Sequence, residues 1–527
     1  MGTVREASVA VLRAHGLTTI FGNPGSTELP FLADLPPDFR YVLGLQEAVV
    51  AGLADGYSLA TGRTVLVNLH TGPGLGNAMG AILGAAANRT PMVVTAGQQV
   101  RAMLAMEALL TNVDGPALAR PACKWAYEPP RAQDVPAALA RAIHAARSAP
   151  AGPVFVSLPM DDFDVELTER ELAEAEVLAA RAVTQRAAPD PEILPMFARR
   201  LAEASSPVLV AGSDVDSAGA WVAAVALAER CAMPVWAAPC DGRAGFPQDH
   251  PQFRGFLPPL IPGLAQQLAG HDLIVVAGAP VFRYYPYLPG SYLPEGAELL
   301  HLTADPAEAA RAPAGDALVA DIRLALEALA KESGTADRPV PRPRTAPAAP
   351  APGTAGEVFA ALAGVAGDDV IWFNESPSNL AEFQDQVRIS RPGSYFFTAG
   401  GGLGFGLPGA VGAAIGQDRP VIAVLGDGSA QYAIPALWTA AAERAPVIFV
   451  VLTNREYAIL KWFGEFEKVG RVPGLDIGGI DIVAIARGYG VPAWKVGSAT
   501  EAAGRVREAL GSRSGPVLIE VSVAGTK

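Results

Sequence analysis

Two polar residues stand just past the ends of neighbouring apolar runs. Val421–Leu425 stops at Gly426-Asp427-Gly428, and Val447–Leu452 stops at Thr453-Asn454, with an Ala-rich helical stretch between them. In a strand–helix–strand unit the two strands lie parallel and close, so Asp427 and Asn454 leave the sheet at one carboxyl edge, where open α/β sheets bind ligands. Gly426 and Gly428 allow close approach of the backbone, and the helix that follows directs its amide end at the same place, which favours an anion. A carboxylate, an amide oxygen and a helix terminus suit a magnesium ion that shares its coordination with a diphosphate. A Gly-Asp-Gly by itself favours a tight turn with the aspartate capping a helix. The asparagine at the next strand end adds a second hard oxygen and favours the metal.

Other residues could take part in chemistry with less support from spacing. His70 ends the run Thr64–Leu69 and precedes Thr-Gly-Pro-Gly, so it occupies a strand tip at the carboxyl edge of an earlier sheet. Glu47, in "LGLQEAVVAGLADGYSLATG", reads either as a working carboxyl or as a first-turn acid complementing the helix dipole. Ser26, in "GNPGST", can hydrogen-bond a carboxylate or simply sit in a turn. Gly404-Phe405-Gly406-Leu407-Pro408-Gly409 matches G-x-G-x-x-G formally. Pro408 disturbs the turn and no ribose-binding acid is suitably placed, so a dinucleotide site is rejected.

The elements that must position these groups are short Val/Ile/Leu runs alternating with Ala-rich helices. Thr64–Leu69, Met92–Thr95, Val154–Ser157, Val208–Ala211, Leu273–Ala277, Val421–Leu425 and Val447–Leu452 are continuous rather than alternating in hydrophobicity, as suits parallel strands covered on both faces. A Pro- and Ala-rich segment, Ser333–Thr354, reads as an extended, unpacked linker. A softer boundary lies in Leu167–Ile193, helical at first and then broken by prolines. The expectation is an α/β protein of three doubly wound parallel-sheet domains, 1–180, 181–340 and 341–527. The stretches from Gly62 and from Asp418 both read arginine, strand, Gly-rich turn, Ala-rich helix, proline loop, strand, which suggests that the outer domains are copies facing a shared ligand.

Composition narrows the function classes. The 527 residues are 50% apolar and 18% charged, with a formal net charge of −13, which argues against a general nucleic-acid binder. Cys123, Cys231 and Cys240 match no metal spacing, and with the absence of a signal-peptide core they suggest a reducing cytoplasm. No apolar run approaches the roughly 18 residues of a membrane span.

Gly426-Asp427-Gly428 followed by Asn454 resembles the signature of thiamine-diphosphate enzymes. "GNPGSTELPFL", "LHTGPGLGNAMG", "GAPVFRYYPY", "NES", "GGLGFGLP", "GDGSAQYAIPALWTAA" and "VPGLD" together resemble, in one order along the whole chain, the benzoylformate decarboxylase branch of the thiamine-diphosphate-dependent decarboxylases. The resemblance implies a pyrimidine-binding, a middle and a diphosphate-binding domain. It implies Mg²⁺ held by the side chains of Asp427 and Asn454 and the carbonyl of Glu456, with Gly426, Gly428 and Ser429 in the diphosphate turn. Glu47 would activate the cofactor's aminopyrimidine, Leu403 would wedge between its rings, and the Gly401 carbonyl would accept from its amino group. Ser26 would bind the substrate carboxylate and His70 would transfer protons. A 2-oxo acid would lose CO₂ and leave as an aldehyde, benzoylformate giving benzaldehyde. The active sites would be shared across a homodimer or homotetramer. The middle domain, which binds FAD or ADP in some relatives, has a sparse glycine turn here, and no flavin is expected.

Departures from the family pattern bear on the reaction. Tyr285 stands where the relative has a second active-site histidine. A phenol titrating near pH 10 is a poor proton shuttle at neutrality, so protonation after CO₂ loss is expected to slow and carboligation to a 2-hydroxy ketone to compete. Pro377 replaces a hydroxyl residue, and Ile459 a small residue beside the substrate. Phe397 and Phe463 remain as aromatic walls. The rival readings are a carboligase of acetolactate-synthase type, a non-catalytic cofactor-binding protein and a nicotinamide oxidoreductase. Of the remaining histidines, His144, His250 and His271 read as surface positions, while His15 and His301 have no assigned partners. The run Tyr284-Tyr285-Pro286-Tyr287 reads equally as a packed loop or as part of the pocket.

Overall fold

In the computed structural model the chain is described over residues 2–335, 338–345 and 347–524. Residues 336, 337 and 346 of the expected linker, and the extreme ends of the outer domains, lie outside the described residues. The apolar runs form strands, because each is buried on both faces: every residue of Val65–Leu69, Val154–Pro159, Pro207–Ala211 and Leu273–Ala277 is buried. The expected strands are all present, Leu273–Ala277 with the same ends and the others with an end shifted by one to three residues.

Apart from a short antiparallel pair, Gly2–Thr3 with Glu166–Leu167, the strands make three six-stranded parallel sheets, numbered here in chain order. The first holds β1 (Thr19–Gly22), β2 (Arg40–Leu43), β3 (Val65–Leu69), β4 (Met92–Gln98), β5 (Trp125–Tyr127) and β6 (Val154–Pro159), in the order β2-β1-β3-β4-β6-β5. The second holds β7 (Pro207–Ala211), β8 (Val235–Ala237), β9 (Phe253–Phe256), β10 (Leu273–Ala277), β11 (Glu298–Thr303) and β12 (Asp316–Val319), in the order β9-β8-β7-β10-β11-β12. The third holds β13 (Ile371–Glu375), β14 (Tyr395–Phe397), β15 (Val421–Gly426), β16 (Val447–Thr453), β17 (Ala493–Val496) and β18 (Val517–Ser522), in the order β14-β13-β15-β16-β18-β17. The outer sheets thus share one strand order, so the internal likeness seen at Gly62 and Asp418 extends to topology. The middle sheet follows another order, reversing at β7.

The chain divides into two compact units. One comprises the residues up to Thr184, Trp372–Ser378 and those from Gly400 onward; the other comprises Gln185–Ile371 and Asn379–Ala399. Within the first unit the helices Glu47–Thr61 and Gly406–Gly416 meet backbone to backbone. A β-carbon at Gly412 would lie 1.9 Å from the Leu53 carbonyl oxygen, and one at Gly56 would lie 2.0 Å from the Gly409 carbonyl oxygen, so only glycine permits the contact. The helix that starts at Glu47 is thereby fixed to the helix that leads into β15.

The second unit corrects the reading of the linker. Arg338 donates to the carbonyls of Cys231, Leu201, Ala202 and Ala204, and Arg344 pairs with Asp385 at 2.7 Å. The segment is extended, but its arginines tie it down, because their guanidinium groups supply helix-end carbonyls with donors that proline lacks and an alanine side chain cannot offer. In the same unit the turn after β7 is filled from within. The Ser213 amide donates to the Asp241 carboxylate at 2.8 Å, and a β-carbon at Gly212 would lie 2.3 Å from that of Ala279.

The surface reading of three histidines is also corrected. His250 is mostly covered and faces Glu229 at 3.2 Å. Half-buried His271 bonds the Ser206 carbonyl at 3.0 Å. Half-buried His144 meets His15 edge to face, ring centroids 5.0 Å apart. His301 is fully buried and donates to the Ala279 carbonyl at 2.9 Å.

Candidate cofactor and active site

β15 and β16 pair in register, Gly426 opposite Leu452, so Asp427 and Asn454 do leave the third sheet side by side. Asp427 opens the helix Asp427–Gln431 and is buried. One of its oxygens accepts from the Gly428 amide at 2.9 Å and the other from the Arg455 amide at 2.7 Å. The Asn454 side-chain oxygen accepts from the Glu456 amide at 3.1 Å. Arg455 has φ 62°, a left-handed conformation that doubles the chain back over Asp427. Burial raises the pKa of the Asp427 carboxyl, and only backbone amides oppose it. Adding a divalent cation would supply the charge that burial otherwise penalises.

Among the described residues no group of three or more His, Cys, Asp or Glu side chains could hold a metal by itself. The donors at this corner are one carboxylate, one amide oxygen and the backbone. Mg²⁺ takes such sparse, all-oxygen protein ligation when phosphate and water complete its octahedron, so the residues fit that ion.

A second cluster forms at the carboxyl edge of the first sheet. Glu47 begins the helix Glu47–Thr61 and accepts from the side chains of Asn23 at 3.2 Å and Asn77 at 3.1 Å. His70 follows β3 and precedes the helix Thr71–Ala87. Its Nδ1 lies 2.9 Å from Glu28 Oε2 and 3.2 Å from Thr27 Oγ1. Glu28 is only 1% exposed. Its carboxylate also accepts from the amides of Gly25 at 2.9 Å and Gly97 at 2.8 Å and from the Thr27 hydroxyl at 2.8 Å. An acceptor so placed holds the His70 proton on Nδ1 and leaves Nε2 for chemistry. Gly25 is obligatory here, since a β-carbon would lie 2.0 Å from His70 Nδ1. Gly74 separates the two functional groups: its β-carbon would lie 3.4 Å from both Glu47 Cγ and His70 Cβ. Ser26 sits exposed on the Glu28 turn. No hydrogen bond among the described residues joins Glu47 to Asp427, Asn454 or Glu456.

Gly401 and Leu403 lie in the loop that enters the helix Gly406–Gly416; Gly401 is exposed with φ 71° and Leu403 is half-buried. The end of this loop is gripped by Glu375, whose carboxylate accepts from the amides of Gly404, Phe405 and Gly406 at 2.7, 3.0 and 3.0 Å. Burial pushes the Glu375 carboxyl up to about 7, against those amides. Ile459 and Phe463 are half-buried on the helix Ala458–Phe466. In the other unit Phe397 is buried on β14 and Tyr285 is 66% exposed. The aromatic run divides its roles. Tyr284 packs on Phe282 and Tyr292, lines a cavity of ≈ 240 Å³ and has its phenol pushed up to about 12 by burial, whereas Tyr287 faces outward.

Models of thiamine pyrophosphate enzyme domains match along the chain: the N-terminal TPP-binding domain at residues 2–118, the central domain at 196–329 and the C-terminal TPP-binding domain at 378–521. The chain belongs to the thiamine pyrophosphate enzyme family. It is 51% identical over 526 residues to a benzoylformate decarboxylase of Pseudomonas aeruginosa, covering 99% of each chain. A solved thiamine diphosphate-dependent 4-hydroxybenzoylformate decarboxylase from Rhodococcus jostii RHA1 is 47% identical with a TM-score of 0.96, each chain fully covered. A benzoylformate decarboxylase from Polynucleobacter necessarius is 43% identical, with a TM-score of 0.96 over 100% of this chain and 99% of that one.

Sequence reasoning missed two carboxylates of this family member. Glu28 lies inside "GNPGSTELPFL" and Glu375 inside "NES". The available signal was an acid three residues after a glycine for Glu28, and an acid at the end of an apolar run for Glu375. Nothing local told that each would be buried and would collect amides from segments 69 and 29 to 31 residues away.

Proposed function

We propose that this chain is a Mg²⁺- and thiamine-diphosphate-dependent decarboxylase that converts an aryl 2-oxo acid, benzoylformate or a ring-hydroxylated form of it, to the aldehyde and CO₂. Similarity over the full length to the Pseudomonas aeruginosa enzyme supports this most directly. The side-chain oxygens of Asp427 and Asn454 and the Glu456 carbonyl would hold Mg²⁺, with Gly426, Gly428 and Ser429 around the diphosphate. Bound thiamine diphosphate supplies the sink for the electron pair released as CO₂ departs. Glu47 would keep a proton at the aminopyrimidine ring nitrogen. The Gly401 carbonyl would accept from the amino group, and Leu403 would fill the space between the rings. Ser26 would donate to the substrate carboxylate. His70, its Nδ1 tied to Glu28, would move protons through Nε2. Phe397, Ile459, Phe463 and Tyr285 would shape the substrate pocket. The domains 1–180, 181–340 and 341–527 follow the family order.

Two copies would complete each site. Glu47 is half-exposed in the single chain, and the apolar side chains of Leu29, Leu45 and Leu83 in the same unit are 44–59% exposed. Such exposure suits a covering second copy in a homodimer or homotetramer. Among the described residues no helix is long and apolar enough to cross a membrane, and the three cysteines are unpaired, which supports a cytoplasmic enzyme. A second reading, carboligation, is favoured by Tyr285 in place of a proton-shuttling histidine.

Calorimetry with thiamine diphosphate and Mg²⁺ tests the cofactor assignment. Product analysis with benzoylformate, 4-hydroxybenzoylformate and pyruvate tests the reaction. Aldehyde and CO₂ from the aryl acids are expected. No cofactor uptake, or turnover of pyruvate alone to a 2-hydroxy ketone, overturns the proposal.

A further inference from the structure

Beyond the metal corner the chain folds a small clip that the assigned ligands do not explain. Tyr457 N–H donates to the Leu475 carbonyl at 2.8 Å, and Ile477 N–H to the Arg455 carbonyl at 2.9 Å. Glu456 and Asp476, between them, form an isolated antiparallel bridge. Residues 455–457 and 475–477 are thus stitched together outside the six-stranded sheet. Lys461, one turn into the helix Ala458–Phe466, donates to both carboxylates, Glu456 and Asp476, the latter at 2.7 Å. The clip lies on the cofactor turn. A β-carbon at Gly428 would be 2.6 Å from the Tyr457 ring and 3.1 Å from Ile477 Cδ1, so these two side chains cover the first turn of the helix that Asp427 opens.

The strap is exposed on either side of the clip, at 467–474 and 478–480, and is half-buried only at Leu475 and Ile477. The ammonium of Lys461 therefore sits where the strap is fastened. Its two bonds differ in setting: the Glu456 side chain is 16% exposed and that of Asp476 84%. The inner pair is partly covered, although the Lys461 side chain that both pairs share is 36% exposed, and the outer one is open to solvent and salt.

We propose that Lys461 is a positioning residue that fastens the Leu475–Ile477 strap to the Glu456 turn, fixing the Glu456 carbonyl toward Mg²⁺ and retarding loss of the metal–diphosphate cofactor. The inference rests on the reading of Asp427, Asn454 and Glu456 as the metal corner. Lys461 touches neither substrate nor cofactor; it acts through the backbone of Glu456 and through the closed strap.

The test follows release rather than turnover alone. Holoenzyme is passed into buffer containing a chelator, and the thiamine diphosphate still bound is quantified with time for wild type, Lys461→Met, Lys461→Arg and Asp476→Asn. Losing a partly buried charged hydrogen bond corresponds to about tenfold in rate. Lys461→Met is expected to release cofactor about tenfold faster and to need about tenfold more Mg²⁺ for half-saturation, a larger change than in kcat at saturation. Lys461→Arg, able to bridge both carboxylates, is expected to restore most of the retention. Asp476→Asn, a substitution on an exposed side chain that leaves folding intact, is expected to give a smaller acceleration that high salt abolishes. Wild-type release rates in both Lys461→Met and Asp476→Asn overturn the clip. Failure of wild type to retain any thiamine diphosphate strikes the cofactor assignment itself, and the two failures are thereby told apart.

Discussion

Replacing Glu28 by glutamine changes one atom and should disable the site. The wild-type carboxylate is purely an acceptor, and its neighbours donate to it: the amides of Gly25, Thr71 and Gly97, the Thr27 hydroxyl and His70 Nδ1. A glutamine must turn its NH₂ toward one of the two sides. Facing Oε1's partners, it opposes the amides of Gly97 and Thr71 and forces the Thr27 hydroxyl to turn from donor to acceptor. Facing Oε2's partners, it strands the Gly25 amide but can be accommodated by His70, provided that the imidazole gives up its Nδ1 proton. The second arrangement is the milder. It leaves one buried amide without an acceptor and loses a charge-assisted bond, about 2–4 kcal/mol of stability. It also moves the ring proton to Nε2, the nitrogen proposed to work. A general acid–base group held in the wrong tautomer forfeits on the order of 10²–10⁴ in rate. The assay is kcat and KM for benzoylformate at saturating cofactor, with a thermal melt and the bound thiamine diphosphate measured on the same preparation. Glu28→Gln should melt earlier, retain cofactor and lose about 100-fold or more in kcat. In a His70→Ala background the same change should cost little further activity, because its route is gone. A folded, cofactor-loaded Glu28→Gln variant with kcat within about threefold of wild type would refute the reasoning.

Glu47→Gln should keep Mg²⁺-dependent uptake of thiamine diphosphate, seen by calorimetry, while turnover falls about 100-fold or more, since an amide cannot hold a proton for the ring nitrogen. Unchanged turnover would remove Glu47 from the proposed role. Burial, followed by Arg147, lowers the pKa of His15, and burial, followed by His15 and Arg147, lowers that of His144. The unfolded chain therefore binds more protons below about pH 6.5, and the stability present above that value is lost as pH falls toward the depressed folded values. Urea unfolding of His144→Gln should show a shallower acid decline than wild type; parallel curves would exclude the pair as its source. Tyr285→His should shift the products of benzoylformate plus acetaldehyde several-fold from 2-hydroxy ketone toward free aldehyde, as a neutral-pH proton carrier replaces a phenol. An unchanged product ratio measured by chromatography would remove Tyr285 from the proton path.

The architecture was legible because its signals are local. Runs such as Val65–Leu69 and Leu273–Ala277 are apolar throughout since both faces of a parallel strand are covered, and that burden falls on consecutive residues. Asp427 and Asn454 could be paired on paper because adjoining parallel strands must end at one edge, and the structure does set their turns together. The similar order of elements from Gly62 and from Asp418 announced two like sheets, and one strand order serves both. Other features were decided only by tertiary folding. Glu28 became the anchor of His70 because β4 delivers the Gly97 amide and a glycine at 25 leaves room for the imidazole. Glu375 became a grip on the Leu403 loop, Arg338 turned a proline-rich linker into a tied segment, and Lys461 closed a clip across a gap of 15 residues. Each depends on a charged or polar group meeting backbone or side-chain partners from distant parts of the chain. Periodicity records which face of an element is buried; it does not record which donors another segment will bring to that face, and those donors determine what a buried carboxylate can do.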